Sequence, residues 1–190
     1  LVNKDLVGMD FEEIGRKRGV DPYDAVMDML IEEGDDAPRL MWATRSFSDA
    51  QVEMSMKEDA CAVISDTAAL APDGALQDTL FSLSGYGWAA RFLQHYVRDR
   101  QVLPLAEGIR RITALPASRL GLKDRGSLKV GNWADVTVFD AAQIESRFTV
   151  KKPRNYPGGI AHVMVNGQFA MRDGVRTDTN NGRVLREFDA

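Results

Sequence analysis

Asp66 is the acid whose surroundings suggest chemistry. It follows Ala60 to Ile64, ACAVI, a continuous apolar run that reads as a strand covered on both faces, and it opens the loop after Ser65. A carboxylate fixed at such a strand end can take a proton from water and hand it to a leaving group. It can equally cap a helix or start a turn, and position alone leaves these open. Metal chemistry has fewer candidates. A catalytic zinc takes three or more His, Cys or carboxylate ligands, and the histidines and cysteines of the chain are His95, His162 and Cys61. His95 falls in a helical pattern and His162 in a strand pattern, both as packing or surface residues, while Cys61 reads as a small core hydrophobe. Lys123-Asp124-Arg125 and Lys151-Lys152-Pro153-Arg154 read as solvated loops, not anion sites. Gly85-x-Gly87 lacks the strand that precedes a nucleotide-binding loop, and Trp42, Trp88 and Trp133 read as core residues.

The elements that must position Asp66 follow from caps and periodicity. Asp10 caps a helix with Phe11 and Ile14 on one face, ended by Gly19. Asp21-Pro22 starts a second, in which Tyr23, Val26, Met27, Leu30 and Ile31 have the spacing of a buried stripe, closed by Gly34. Leu40 to Ala43 reads as a short strand, and Ser48 caps a helix carrying Val52 and Met56. A loop from Ala68 to Ser84 leads to a helix over 86–98, with Trp88, Phe92, Leu93 and Tyr96 on its apolar side, and to another over 105–113. Pro116 lies in the first turn of a short helix that Gly121 stops, with Leu120, Leu122 and Leu128 as apolar contacts. Gly126 and Gly131 then bracket an extended piece. Strands follow over 135–139, 160–166 and 168–172, the last two joined by a tight turn at Asn166-Gly167. Helices before and strands after place a boundary that divides the chain into 1–121 and 122–190.

Composition narrows the partners. With 44% hydrophobic and 27% charged residues the chain can bury a core and is not disordered. A net charge of −4, with arginines scattered among acids, offers no field for a phosphate backbone, so nucleic acid is not an expected partner. No apolar run approaches the ~20 residues that span a bilayer, and the opening LVNKDLVGMDFEE is neither a signal peptide nor a basic anchor, so no membrane partner is expected. A single cysteine agrees with a reducing, cytoplasmic setting.

The stretch Leu115 to Asp140 carries a pattern of its own: Pro116, Ala117, Leu120 to Leu122, then Arg125, Gly126 and Leu128, then Gly131, Ala134 to Val136, Phe139 and Asp140. It resembles the closing part of the metal-dependent amidohydrolase superfamily, where the last barrel helix passes the chain to a small β-sandwich. The resemblance implies an α/β fold in which residues 1–121 are the C-terminal part of a (β/α)8 TIM-like barrel and residues 122–190 are strands of the sandwich. It implies a missing N-terminal portion of the same protein, which would bring most of the ligands of one or two zinc ions. Ser65-Asp66 match the strand-end S-D of that superfamily. By this resemblance Asp66 is the catalytic residue, a general base and then acid on metal-bound water, and a possible metal ligand itself.

Within the superfamily the chain looks most like the N-acyl-D-amino-acid deacylases. Asp21-Pro22-Tyr23-Asp24 with Leu30, Phe92-Leu93 with Tyr96 to Arg98, Gly159-Ile160 with His162-Val163 and Val165 to Gly167, and Gly182 to Arg186 resemble that family's successive segments. The implied activity is hydrolysis of the amide of a small molecule, an N-acyl-D-amino acid or a related compound. The sequence also departs from the family. Where its members carry H-P-R, with an arginine for the substrate carboxylate, this chain reads Ser82-Leu83-Ser84-Gly85-Tyr86-Gly87, and Thr67 replaces a glycine after the aspartate. Ser65, Ser84 and Tyr86 are the substrate-binding candidates, with Arg91 a further substitute. A cyclic-amide hydrolase of the dihydroorotase or hydantoinase kind and a non-catalytic scaffold without a metal site are the alternatives. A homo-oligomer through the helical surface is compatible with the sequence, which defines no interface. On its own the chain is not expected to be a competent metallohydrolase.

Overall fold

The computed structural model describes residues 1–40, 42, 46–68, 71, 73–75, 85–149 and 151–186. Its first unit is a helical hairpin, α1 (Phe11–Arg18) and α2 (Pro22–Glu33). The Asp10 carboxylate accepts the Glu13 N–H at 2.8 Å and the Glu13 carboxylate accepts the Asp10 N–H at 2.9 Å, a reciprocal cap that satisfies two donors of the open first turn. Gly19 turns the chain at φ 71°, and Asp21 caps α2 by accepting the Tyr23 N–H at 2.9 Å. The helices touch at Gly15, where a Cβ would lie 2.9 Å from the Pro22 Cα. Leu6, Ile14, Ala25 and Met29 fill this core.

The face that α2 buries matches the expected one only in part. Val26 is buried and Leu30 half-buried as expected, but Ala25 and Met29 are buried as well, whereas Tyr23, Met27 and Ile31 are exposed. Two apolar rows run along this helix at four-residue spacing, and periodicity cannot choose between them; the small, close-approaching Gly15 of α1 selects the row containing Ala25. Behind it, the Glu33 carboxylate is buried and accepts the Val2 and Asn3 N–H groups at 2.9 and 2.7 Å. The Asn3 amide leads the interactions that hold its pKa below the ordinary glutamate value.

A second core joins the remaining helices to the sheet. Helix α3 (Asp49–Met56) starts at a Ser48–Gln51 capping box. Helix α4 (Trp88–Arg91) continues directly as a π-helix over Phe92–Asp99, where an ordinary helix is the expectation. The wider π turn brings the neighbours His95 and Tyr96 to one acceptor: the Tyr96 hydroxyl donates to Asp49 at 3.0 Å and His95 Nε2 stands 3.5 Å from its other oxygen. Helices α5 (Leu105–Ile112) and α6 (Ala114–Arg119) follow. Phe92, Leu93, Val97, Leu103 and Ile144 are the centre of this core, with Val63, Ile109, Phe139 and Ile160 packed against it.

The sheet is an antiparallel meander of β1 (Val136–Phe139), β2 (Ile160–Val165), β3 (Gln168–Arg172) and β4 (Val175–Arg176) in chain order. Asn166 and Gly167 take φ 49° and 81°, the two positive angles of the hairpin turn expected there. The Asn166 side chain accepts from Arg125 at 2.7 Å and donates to the Asn181 carbonyl at 2.7 Å.

Several expectations about burial fail. Trp133 is 42% exposed and Trp42 40%. Trp133 has the guanidinium groups of Arg125 and Arg183 at 5.2 and 3.9 Å from its ring centre, and Trp42 and Phe11 meet edge to face at 5.2 Å. Arg125 belongs to no solvated loop: its side chain is 10% exposed and grips Asp135 and Asn166. Leu120 and Leu128 are exposed instead of packed. The strand expected over 40–43 lies partly outside the described residues, which omit 41 and 43, and Leu40 is in no strand.

Candidate active site

The apolar run at 60–64 forms no strand: Ala60 lies in a turn, Cys61 to Ile64 belong to no helix or sheet, and Ile64 is 74% exposed. A doubly covered strand is therefore not what the chain forms here, because the described residues supply no neighbouring strand. Its backbone is held from one side by helices α5 and α6. The buried Arg111 donates to the Glu58 carbonyl and, at 2.8 Å, to the Cys61 carbonyl. Arg119 donates to the Ala60 carbonyl at 2.6 Å and Arg110 to that of Asp59 at 3.4 Å. The Val63 N–H donates to the Arg111 carbonyl at 3.1 Å. Glu107 accepts from Arg110 and Arg111, and these two guanidinium groups, Arg110 foremost, hold its carboxyl down to about 2.

Asp66 ends this segment in the left-handed conformation, φ 45°, which aspartate tolerates better than most residues. Its side chain is exposed and makes no hydrogen bond or ion pair with any described residue. Ser65 is half-buried, and the hydroxyl of Thr67 is buried without a partner among the described residues. Tyr86 stands in the turn before α4, its ring edge-on to Tyr156 at 5.7 Å and its phenol oxygen buried without a partner among the described residues. Burial, with Tyr86 nearby, raises the pKa of Tyr156. Next to Tyr86, a Cβ on Gly87 would lie 2.8 Å from Ser146 Oγ and from Phe148, so the loop after β1 rests on this turn. Ser84 lies outside the described residues. Arg91 is exposed on α4.

The predicted residues thus fall into two places. Ser65 and Asp66 share the end of the clamped segment, while Tyr86 keeps company with Tyr156, and no contact among the described residues joins the two groups. The arginine clamp has no plain signature in the sequence. Glu107, Arg110 and Arg111 have the three- and four-residue spacing of a surface salt-bridge ladder, which conceals a fully buried guanidinium. The one usable signal is Gly108, one helical turn before Arg111 on the same face, where a Cβ would lie 2.6 Å from Val97.

Metal binding fits these residues poorly. Among the described residues no three His, Cys, Asp or Glu side chains stand together as a potential metal site. Asp66 can offer a single carboxylate, fewer than the three or more ligands that a catalytic zinc requires.

Helices followed by an antiparallel meander make this an α/β protein. The chain belongs to the amidohydrolase family, whose model matches residues 11–171, and membership implies a fold that contains a TIM barrel. It is 30% identical over 182 residues to a D-aminoacylase of Alcaligenes xylosoxydans xylosoxydans, covering 95% of this chain and 34% of the relative. An N-acyl-D-glutamate deacylase of the same organism is 44% identical over 101 residues, 53% of this chain and 20% of the relative. Among solved structures, a D-aminoacylase variant in complex with copper chloride superposes with a TM-score of 0.69 at 29% identity, over 95% of this chain and 35% of that one. An N-acyl-D-glutamate deacylase from Bordetella bronchiseptica, complexed with zinc and a phosphonate that mimics the tetrahedral intermediate, gives 0.62 at 29% identity, over 87% and 33%. The chain therefore spans about a third of the length of the relatives that it matches along most of its own. No helix among the described residues is long and apolar enough to cross a membrane.

Proposed function

We propose that residues 1–121 are the C-terminal part of a (β/α)8 barrel and residues 122–190 strands of a β-sandwich, in an enzyme that hydrolyses the amide bond of N-acyl-D-amino acids. The observation that carries the reading is that the similarity to a D-aminoacylase runs through 95% of the chain. Asp66 is the proton carrier. Its carboxylate is exposed, has no partner among the described residues, and ends a segment whose backbone is held by buried charge. Such a group takes a proton from the attacking water and delivers it to the leaving nitrogen, so that the C–N bond breaks and a carboxylate and an amine result. Ser65, Ser84 and Tyr86 bind the substrate; the phenol of Tyr86, buried without a partner among the described residues, supports its part, since such a hydroxyl favours a partner supplied by a ligand.

The complete protein carries zinc, one or two ions, on ligands other than the described residues. The zinc in the phosphonate-bound neighbour supports this. A cytoplasmic location completes the proposal.

A substrate panel tests it: N-acetyl derivatives of D- and L-glutamate, aspartate and leucine, with dihydroorotate and hydantoin, offered to the complete protein. Turnover of the D-amino-acid derivatives above their L counterparts is the expected result. Turnover confined to the cyclic amides would replace this reading with a cyclic-amide hydrolase, and stoichiometric zinc with no turnover of any compound would replace it with a scaffold.

A further inference from the structure

We infer that Arg111 is a positioning residue, whose buried guanidinium, assisted by Arg119, fixes the register of residues 58–63 and thereby the place of the Asp66 carboxylate. The inference rests on the proposed role of Asp66. Residues 57–60 form the turn that leaves α3, closed by the Cys61 N–H donating to the Glu58 carbonyl at 2.9 Å. Buried carbonyls outside a helix or sheet need partners of another kind, and here four consecutive ones, from Glu58 to Cys61, are each met by an arginine side chain of α5 or α6. The fifth contact, Val63 N–H to the Arg111 carbonyl, makes the same residue hold the segment by both its side chain and its backbone.

The cost of this arrangement argues for a purpose. A guanidinium is rarely buried fully, because desolvation must be offset by complete pairing. Arg111 has the most thoroughly buried large side chain among the described residues. Its Nε donates to Glu107, one terminal nitrogen serves the Glu58 and Cys61 carbonyls, and the other stands 3.9 Å from the Asp59 carboxylate. Between Val63 and Asp66 lie two residues, and neither Ile64 nor Ser65 is buried. The last fixed point before the carboxylate is therefore the Arg111 contact, three residues and at most about 10 Å away along the chain. A lysine at this position keeps the charge but offers a single ammonium in place of a planar fork, and cannot reach two carbonyls and Glu107 with the same geometry.

The test uses the complete protein and N-acetyl-D-glutamate, with Arg111→Lys, Arg119→Gln and Asp66→Asn alone and Arg111→Lys combined with Asp66→Asn. Arg119 is exposed, so Arg119→Gln keeps the test open should Arg111→Lys fail to fold. Misplacing a reacting group by about 1 Å costs up to ~100-fold in rate. Arg111→Lys is expected to lower kcat by ~10- to 100-fold and Arg119→Gln by ~3- to 10-fold, with KM and metal content unchanged. In the Asp66→Asn protein the same lysine should change any residual kcat by less than ~3-fold, because the group being positioned is gone. Equal losses in both backgrounds, a change in KM in place of kcat, or wild-type kcat in the folded arginine variants would overturn the inference while leaving the role of Asp66 intact. Should Asp66→Asn residual turnover be undetectable, the kcat-against-KM split decides. Wild-type turnover in Asp66→Asn itself, or no hydrolysis by the unmodified protein, would instead show that the underlying reading has failed and take the inference with it.

Discussion

Gly108→Ala tests the packing that holds the clamp in place. An alanine Cβ at this position would stand 2.6 Å from Val97 Cγ2, with Val97 Cγ1 at 3.5 Å and Phe92 at 3.7 Å. Carbon atoms pack at about 3.5–4.0 Å, so the nearest contact is short by about 1 Å. Val97 cannot yield easily: it is β-branched, buried and enclosed by Phe92 and Leu93. Overpacking of this kind costs about 1–3 kcal/mol, while replacing a helical glycine by alanine gains about 1 kcal/mol. The rigid neighbour puts the cost toward the upper end, and the net expectation is a loss of about 1–2 kcal/mol, or about 3–6 °C in Tm for a chain of this size. Thermal melts followed by circular dichroism measure it. Adding Val97→Ala vacates the contested space, so Gly108→Ala should become neutral or stabilising in that background. A single Gly108→Ala protein that melts about 3 °C higher than wild type, as helix propensity alone would give, would refute the close contact between α5 and the π-helix.

Other consequences follow from the same geometry. The carboxyl of Glu107 sits at about 2 in the folded protein, below its unfolded value of about 4.5, so its pairing stabilises the fold above pH ~4.5 and is lost as pH falls toward 2; the stability difference between wild type and Glu107→Gln, followed by urea titration from pH 6 downward, should shrink across that window. Asn166→Ala forces alanine into φ 49° and removes the contacts to Arg125 and Asn181, for a loss of about 2–3 kcal/mol, whereas Asn166→Gly keeps the turn and loses about 1–2 kcal/mol; chemical denaturation ranks the two. Asp10→Ala opens the first turn of α1 and should cost about 1 kcal/mol, read as a lower midpoint in urea.

Where the decisive physics is local, the sequence carries it. Asp10, Asp21-Pro22 and Ser48 begin helices because a short polar side chain or a fixed φ satisfies the first turn within three residues, and Asn166-Gly167 makes a hairpin because both accept positive φ. Where a residue's partner is distant in the chain, the reading fails. The spacing of Tyr23, Met27 and Ile31 is as helical as that of Ala25 and Met29, and only α1 decides which row is buried. Arg125 and Arg111 look like surface charges until Asp135, Asn166 and the carbonyls of Glu58 and Cys61 are brought to them from 10 to 53 residues away. For the candidate site, Ser65-Asp66 stands out only through its resemblance to a family motif; the forces that place it have no such mark, because buried arginine has no periodic signature.

The central claim is that Asp66 carries the proton in amide hydrolysis. The direct measurement is kcat of Asp66→Asn in the complete protein, on the N-acyl-D-amino acid that the unmodified protein hydrolyses best, with metal content determined on the same sample. The account predicts a loss of ~100- to 10,000-fold, the range that general acid–base catalysis supplies, with metal retained. Turnover within ~3-fold of wild type on every amide tested, with metal retained, would contradict it, since an asparagine cannot accept and return the proton.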